Sequence, residues 1–208
     1  MKYSSEFKCL KDKCPNNCCT NTEIKLSVID LLRLKSIGSL SFDNGKYVFE
    51  KGSVSIFFDT RKGWPYGVMD NKNNACPFLE KGLCSIYEEQ ISPLSKTGKV
   101  LSGKGLSLRA VPLICRSYPF MIFYPETGDI GLNSGCKGVP SQRWEYVVRD
   151  DLMNEVLHEV SIYRRLMNNI DLNANHIIKL MKKNKFLRYC LRTLEGLSTA
   201  NLEEATFK

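Results

Sequence analysis

Lys8-Cys9-Leu-Lys-Asp-Lys-Cys14-Pro-Asn-Asn-Cys18-Cys19-Thr-Asn21 sets four cysteines within eleven residues, in a polar stretch with neither helical nor strand periodicity. The sequence predicts an irregular loop whose order comes from ligands, because nothing apolar in it can drive folding. A second set follows at Cys76-x7-Cys84, Cys115 and Cys136. A thiolate donates strongly to soft and borderline metals, and four of them satisfy a tetrahedral zinc ion or the corners of an iron–sulfur cluster. Adjacent Cys18 and Cys19 point in different directions, so both are awkward on one small ion. They suit two metals, a polynuclear cluster, or one ligand beside a free thiol, which favours iron–sulfur over mononuclear zinc. The ninth cysteine, Cys190, falls on the apolar face of the last helix and is expected to pack as a small hydrophobe.

The elements around these cysteines predict an α+β fold. Glu23–Leu26 reads as a short strand. Ser27-Val-Ile-Asp30 is a capping box in acidic form that opens a helix stopping at Gly38. Tyr47–Glu50 and Val54–Asp59 read as one hairpin around Lys51-Gly52. Cys76–Tyr87 reads as a second, turning at Lys81-Gly82, and Phe120–Tyr124 with Asp129–Leu132 as a third. After Pro140 the pattern turns helical, with no glycine until Gly196. Leu152, Val156, Val160, Tyr163 and Met167 form one long stripe. Asp171 is a candidate cap for the next helix, and the stripe loses phase near Asn184. The expected organisation is a cysteine-bearing unit over residues 1–140 with a helical extension over 141–208 packed on it, together one structural domain.

Of 208 residues, 30 are Lys or Arg and 22 are Asp or Glu, giving a formal charge of +8. No apolar run approaches the roughly 18 residues of a membrane helix. The first twenty residues hold four cysteines and no apolar centre, so no cleaved secretion signal is expected there. The expectation is a cytoplasmic protein that does not enter membranes, in which clustered cysteines bind metal rather than form a disulfide frame.

The ordered motifs Cys-x4-Cys-x3-Cys-Cys, Cys76-Pro-Phe-Leu, Cys84-Ser-Ile-Tyr-Glu, Cys115-Arg-Ser-Tyr-Pro-Phe and Cys136-Lys-Gly resemble the YkgJ-type cysteine-cluster family of zinc- or iron-chelating domains. That family includes the flagellin lysine-N-methylases. The likeness runs from Cys9 to Gly138. It implies that Cys9, Cys14, Cys18, Cys19, Cys76, Cys84, Cys115 and Cys136 are the cluster residues, and that Tyr87, Arg116 and Pro119 belong to the shared core. It also implies an iron–sulfur cluster, 4Fe–4S favoured, with methyl transfer from S-adenosylmethionine to a lysine of a protein substrate as one activity. Redox chemistry is the other. A zinc-stabilised binding module with a basic surface is the rival. The chain departs from the family where Gln90–Leu108 intervenes before Cys115.

That insertion is basic and rich in Gly and Ser. Gly98-Lys-Val-Leu-Ser-Gly103-Lys104-Gly105 comes within one residue of a phosphate-binding loop but lacks the Ser or Thr that would ligate magnesium. It reads as a loop, either solvated or closing over an anionic substrate. Lys104, Arg109 and Arg116 are the candidates for charge balance or cofactor binding, and Arg116, Tyr87 and Glu88 for catalysis. A second basic run, Lys179, Lys182, Lys183, Lys185, Arg188 and Arg192, reads as a solvated helix face, with nucleic-acid contact the sharper but less favoured alternative. His158 and His176 lack ligand spacing to any cysteine and read as surface residues.

Overall fold

Ser27 caps the first long helix. Its hydroxyl accepts from the Asp30 amide, and the Asp30 carboxylate accepts from the Ser27 amide, closing the capping box read from the sequence. The computed structural model describes residues 18–21, 23–38, 40–58, 63–71, 75–118, 120–124, 129–132, 136 and 150–197. In chain order, α1 (Cys18–Asn21) and β1 (Lys25–Leu26) precede the capped helix α2 (Val28–Ile37). Then come β2 (Ser41–Asp43), β3 (Lys46–Phe49), β4 (Gly52–Phe58) and β5 (Pro65–Met69). They form an antiparallel sheet in the order β1-β5-β4-β3-β2. The hairpin at Lys51-Gly52 stands where the sequence puts it. Strands β2 and β5 were not read from the sequence, although Asn44-Gly45 at φ 46° and 83° makes the tight turn that joins β2 to β3.

Helix α2 is buried from Val28 to Leu34 and lies over β1 and β5. Gly67 leaves room beneath it, since a Cβ there would stand 3.4 Å from Leu31 Cδ2 of α2 and only 2.6 Å from Val54 Cγ1 of β4. The two-stranded hairpin β6 (Leu79–Glu80) and β7 (Leu83–Cys84) follows. Lys81 and Gly82, at φ 49° and 81°, turn it as expected.

The insertion departs from the sequence reading. Lys96–Gly103 is a helix, α3, capped by Ser95, whose hydroxyl accepts from the Gly98 amide. Gly98 sits hard against Ser92, and Leu101 is fully buried, so tertiary packing overrides the low helix propensity of two glycines. The near-match to a phosphate loop is therefore the body of a helix. Its entry and exit are joined, with Gln90 bridging Arg109 and the Ile91 amide donating to Leu108. The nineteen residues Gln90–Leu108 thus leave and rejoin the chain at one place.

Helix α4 (Leu113–Ser117) carries Cys115 and packs on β8 (Phe120–Tyr124), which pairs with β9 (Asp129–Leu132). The long helix α5 (Asp150–Asn168) is anchored by Tyr163, whose hydroxyl donates to the Pro65 carbonyl and whose ring meets Trp64 edge-on at 5.6 Å. Helices α6 (Ala174–Lys182) and α7 (Phe186–Gly196) are separated at Asn184, φ 52°, where the stripe loses phase. The cap of α6 is Asn173 rather than Asp171, whose carboxylate instead accepts from the Asn173 amide. One apolar core runs from Ile24 through the sheet to Leu197 of the C-terminal layer. The architecture is α+β. Among the described residues, no helix is long and apolar enough to cross a membrane.

Candidate metal centre

Cys9 and Cys14 lie outside the described residues. Cys18 opens α1, a single turn where the sequence predicts a loop, and Cys19 rests half-buried against the core. The Cys19 carbonyl accepts from the Cys76 amide at 2.7 Å, which joins the cysteine-rich opening segment to the second cysteine set. The Cys76 thiol is buried and donates to Met69 Sδ at 3.6 Å. A turn closed by the Leu79 amide on the Cys76 carbonyl leads into the hairpin, where Cys84 pairs directly with Leu79. Phe78 stacks on Phe49 at 5.2 Å and docks this hairpin on the main sheet. Cys18, Cys19, Cys76 and Cys84 thus belong to two short segments bound together by backbone. Cys136 is half-buried.

Cys115 is held in another way. Its helix starts at Pro112, which has no capping side chain. The cap comes instead from Asp30 of α2, whose carboxylate accepts from the Leu113 amide at 3.0 Å. Asp30 also pairs with Arg33 at 3.0 Å, and Arg33 pairs with Glu159 of α5 at 2.5 Å. Glu159 in turn accepts from Arg116 at 2.6 Å, and Arg116 also pairs with Glu155. Arg33, Asp30 and Glu159 are buried, and the Arg116 side chain is only 4% exposed. Spare donors are used as well: the Arg33 guanidinium reaches the Ser107 carbonyl and that of Arg116 the Val111 carbonyl.

Burial opposes the charge of Arg33 and of Glu159, but their mutual attraction outweighs it. Arg33 is held above the ordinary range, and Glu159, with Arg116 adding to the field, below it. For Asp30 burial dominates and lifts its carboxyl. Breaking such a network leaves an uncompensated buried charge, so it clamps α2, α4 and α5 in one arrangement.

Sequence reading missed Asp30, Arg33, Glu155 and Glu159 as a unit. Two signals were available. Arg33 interrupts the apolar run Ile29–Leu34 at helical spacing from Asp30, and Glu159 lies between Val156 and Val160 on a buried face.

The other candidates are spread over this half of the fold. Tyr87 is exposed and its amide donates to the Cys84 carbonyl, with Glu88 beside it in solvent. Arg109 is exposed at the exit of the insertion and Lys104 is half-buried at the end of α3. The Lys104 carbonyl is 2.9 Å from His158 Nε2, so His158 joins α5 to the insertion rather than facing solvent; His176 is exposed. Cys190 is fully buried, and burial pushes its thiol far above the usual range, so it stays protonated and inert.

Among the described residues, no three Cys, His, Asp or Glu side chains converge to hold a metal ion. The donor chemistry itself fits zinc or iron, since cysteine thiolates bind both metals strongly. A family model named CxxCxxCC, described as "Putative zinc- or iron-chelating domain", matches residues 8–146, two thirds of the chain. The chain belongs to the CxxCxxCC family. It is the cysteine-cluster family that the ordered motifs resemble, and the match takes in all eight motif cysteines and the insertion while leaving out Cys190. No curated protein and no solved structure matches the chain.

Proposed function

We propose that the eight motif cysteines hold one or two iron–sulfur centres, of the 4Fe–4S type, and that the protein is an enzyme built around them. The observation that carries this reading is the bond from the Cys76 amide to the Cys19 carbonyl. It joins the segment of Cys18 and Cys19 to that of Cys76 and Cys84, and an adjacent Cys-Cys pair suits a polynuclear cluster better than one small ion. Such a centre supplies one-electron redox chemistry or an open iron site for a small ligand.

By family resemblance, the reaction is transfer of a methyl group from S-adenosylmethionine to a lysine amine of a protein substrate. The S–CH3 bond breaks as the N–CH3 bond forms, and S-adenosylhomocysteine and a proton leave. Glu88 and Tyr87, in solvent beside Cys84, are the candidates to receive that proton. Lys104 and Arg109 are candidates for the cofactor's carboxylate. Arg116 is engaged by Glu155 and Glu159 and is assigned to hold the helix of Cys115.

The test is anaerobic purification with iron, sulfide and zinc analysis, followed by S-adenosylmethionine calorimetry. About four iron and four sulfide per chain are expected for one centre, and about eight of each for two. Zinc without sulfide would overturn the reading in favour of a zinc-stabilised binding module. The exposed lysines and arginines of α6 and α7 favour that second reading, since a basic surface suits an anionic partner.

A further inference from the structure

Where α3 crosses α2 and α7, the molecule carries an open cavity of about 290 Å³. Half-buried Leu191, with Leu32 and Leu187 beneath, forms its floor, and Lys35, Lys96, Arg188 and Arg192 stand around it. Four cations from three elements meet here against one acid, Glu195, which pairs with Lys96 at 3.2 Å. Among the described residues, no carboxylate lies within ion-pair distance of Lys35, Arg188 or Arg192. Like charges drawn together without counterions cost free energy, and a bound anion would recover it. Lys35 registers this field: partial burial, and then the nearby Arg188, lower its pKa.

We infer that this cavity is a binding site for an organic phosphate, with the phosphate or diphosphate on the cationic rim and a compact apolar body on the leucine floor. The volume lies at the lower end of small-molecule pockets, which suits a compact ligand. Arginine supplies planar paired donors for phosphate oxygens and lysine adds point charge. Helix α3 builds one wall through Lys96 and Thr97. The assignment does not depend on which metal the cysteines hold.

The test is calorimetry on the full chain as purified with its metal, at low salt, using adenosine diphosphate and inorganic pyrophosphate as probes. Both should bind saturably at one site per chain, the diphosphate with its attached ring more tightly. Arg188→Glu should weaken binding by tenfold or more, and so should Lys35→Met, which keeps the apolar stem. Both variants should keep the wild-type melting temperature. Lys179→Glu with Lys183→Glu, which charges exposed positions of α6 away from the cavity, should leave affinity unchanged. Absence of saturable binding at millimolar probe would overturn the site. Equal losses in the α6 double variant would do the same, by showing that diffuse charge and not the cavity binds the anion.

Discussion

The two places where cysteines are anchored use opposite physics. Cys115 rides on a helix fixed by buried ion pairs and an apolar core shared by α2, α5 and α7. Cys18 and Cys19 sit on one helical turn, Cys76 outside any regular element and Cys84 on a strand of two residues, beside exposed Leu83 and Tyr87. Protein contacts alone stabilise the first region. The second lacks regular structure long enough to hold itself, and metal–thiolate bonds can supply what its core does not.

Removing the metal is the strongest way to break this contrast. Structural metal sites contribute roughly 10–16 kcal/mol of apparent binding free energy, as much as a domain's whole stability. Chelation is expected to lower the melting temperature and abolish hydrogen-exchange protection in the Cys76–Cys84 hairpin, while amides of α2, α5 and α7 stay protected. Equal loss of protection in both regions would erase the distinction.

The converse break is Glu159→Leu, which leaves Arg33 and Arg116 without their shared partner. A loss of about 3–5 kcal/mol is expected in urea unfolding. The same residue sets a pH dependence. Its carboxyl is held below the ordinary value of 4.5, so its stabilisation is present above that value and is lost as pH falls through the folded value. Asp30, lifted by burial, acts in the opposite sense, favouring the fold on the acid side. The stability gap between wild type and Glu159→Gln should therefore close as the solution is acidified below 4.5. A gap constant from neutral to acid pH would show that Glu159 acts by shape rather than charge.

Cys190→Ala sharpens the comparison from the apolar side. It should cost about 1–2 kcal/mol of packing and leave metal content at the wild-type value. Loss of metal at intact fold would place Cys190 among the ligands. The smallest effect is expected at Tyr47, which is 1% exposed and whose hydroxyl has no hydrogen-bond partner among the described residues. Phe at this position removes a desolvated polar group, and thermal melting should show stability unchanged or raised by about 1 kcal/mol.

Local signals carried the elements that could be read in advance. The Ser27 capping box, the Lys81-Gly82 turn and the phase loss at Asn184 each depend on residues a few positions apart, so the chain displays them directly. The insertion was harder, because Gly98 and Gly103 weaken any helical pattern, and only burial of Leu101 against other elements makes α3 form. Strand β5 escaped because Pro65 and Gly67 weaken its strand pattern, and its second partner, β1, lies far back in the sequence, before α2 and three other strands.

The candidate centre divides along the same line. Cysteine identity and spacing by themselves marked out a zinc- or iron-chelating chain, since thiolate chemistry belongs to the residue and needs no fold to be recognised. The bond from Cys76 to Cys19 and the reach of Asp30 to the helix of Cys115 could not be read that way. Nor could the meeting of Arg33, Glu159 and Arg116, or of four cations around a leucine floor. These groups stand tens to more than a hundred positions apart. Their electrostatic energy depends on distance and burial, which exist only once the chain has packed.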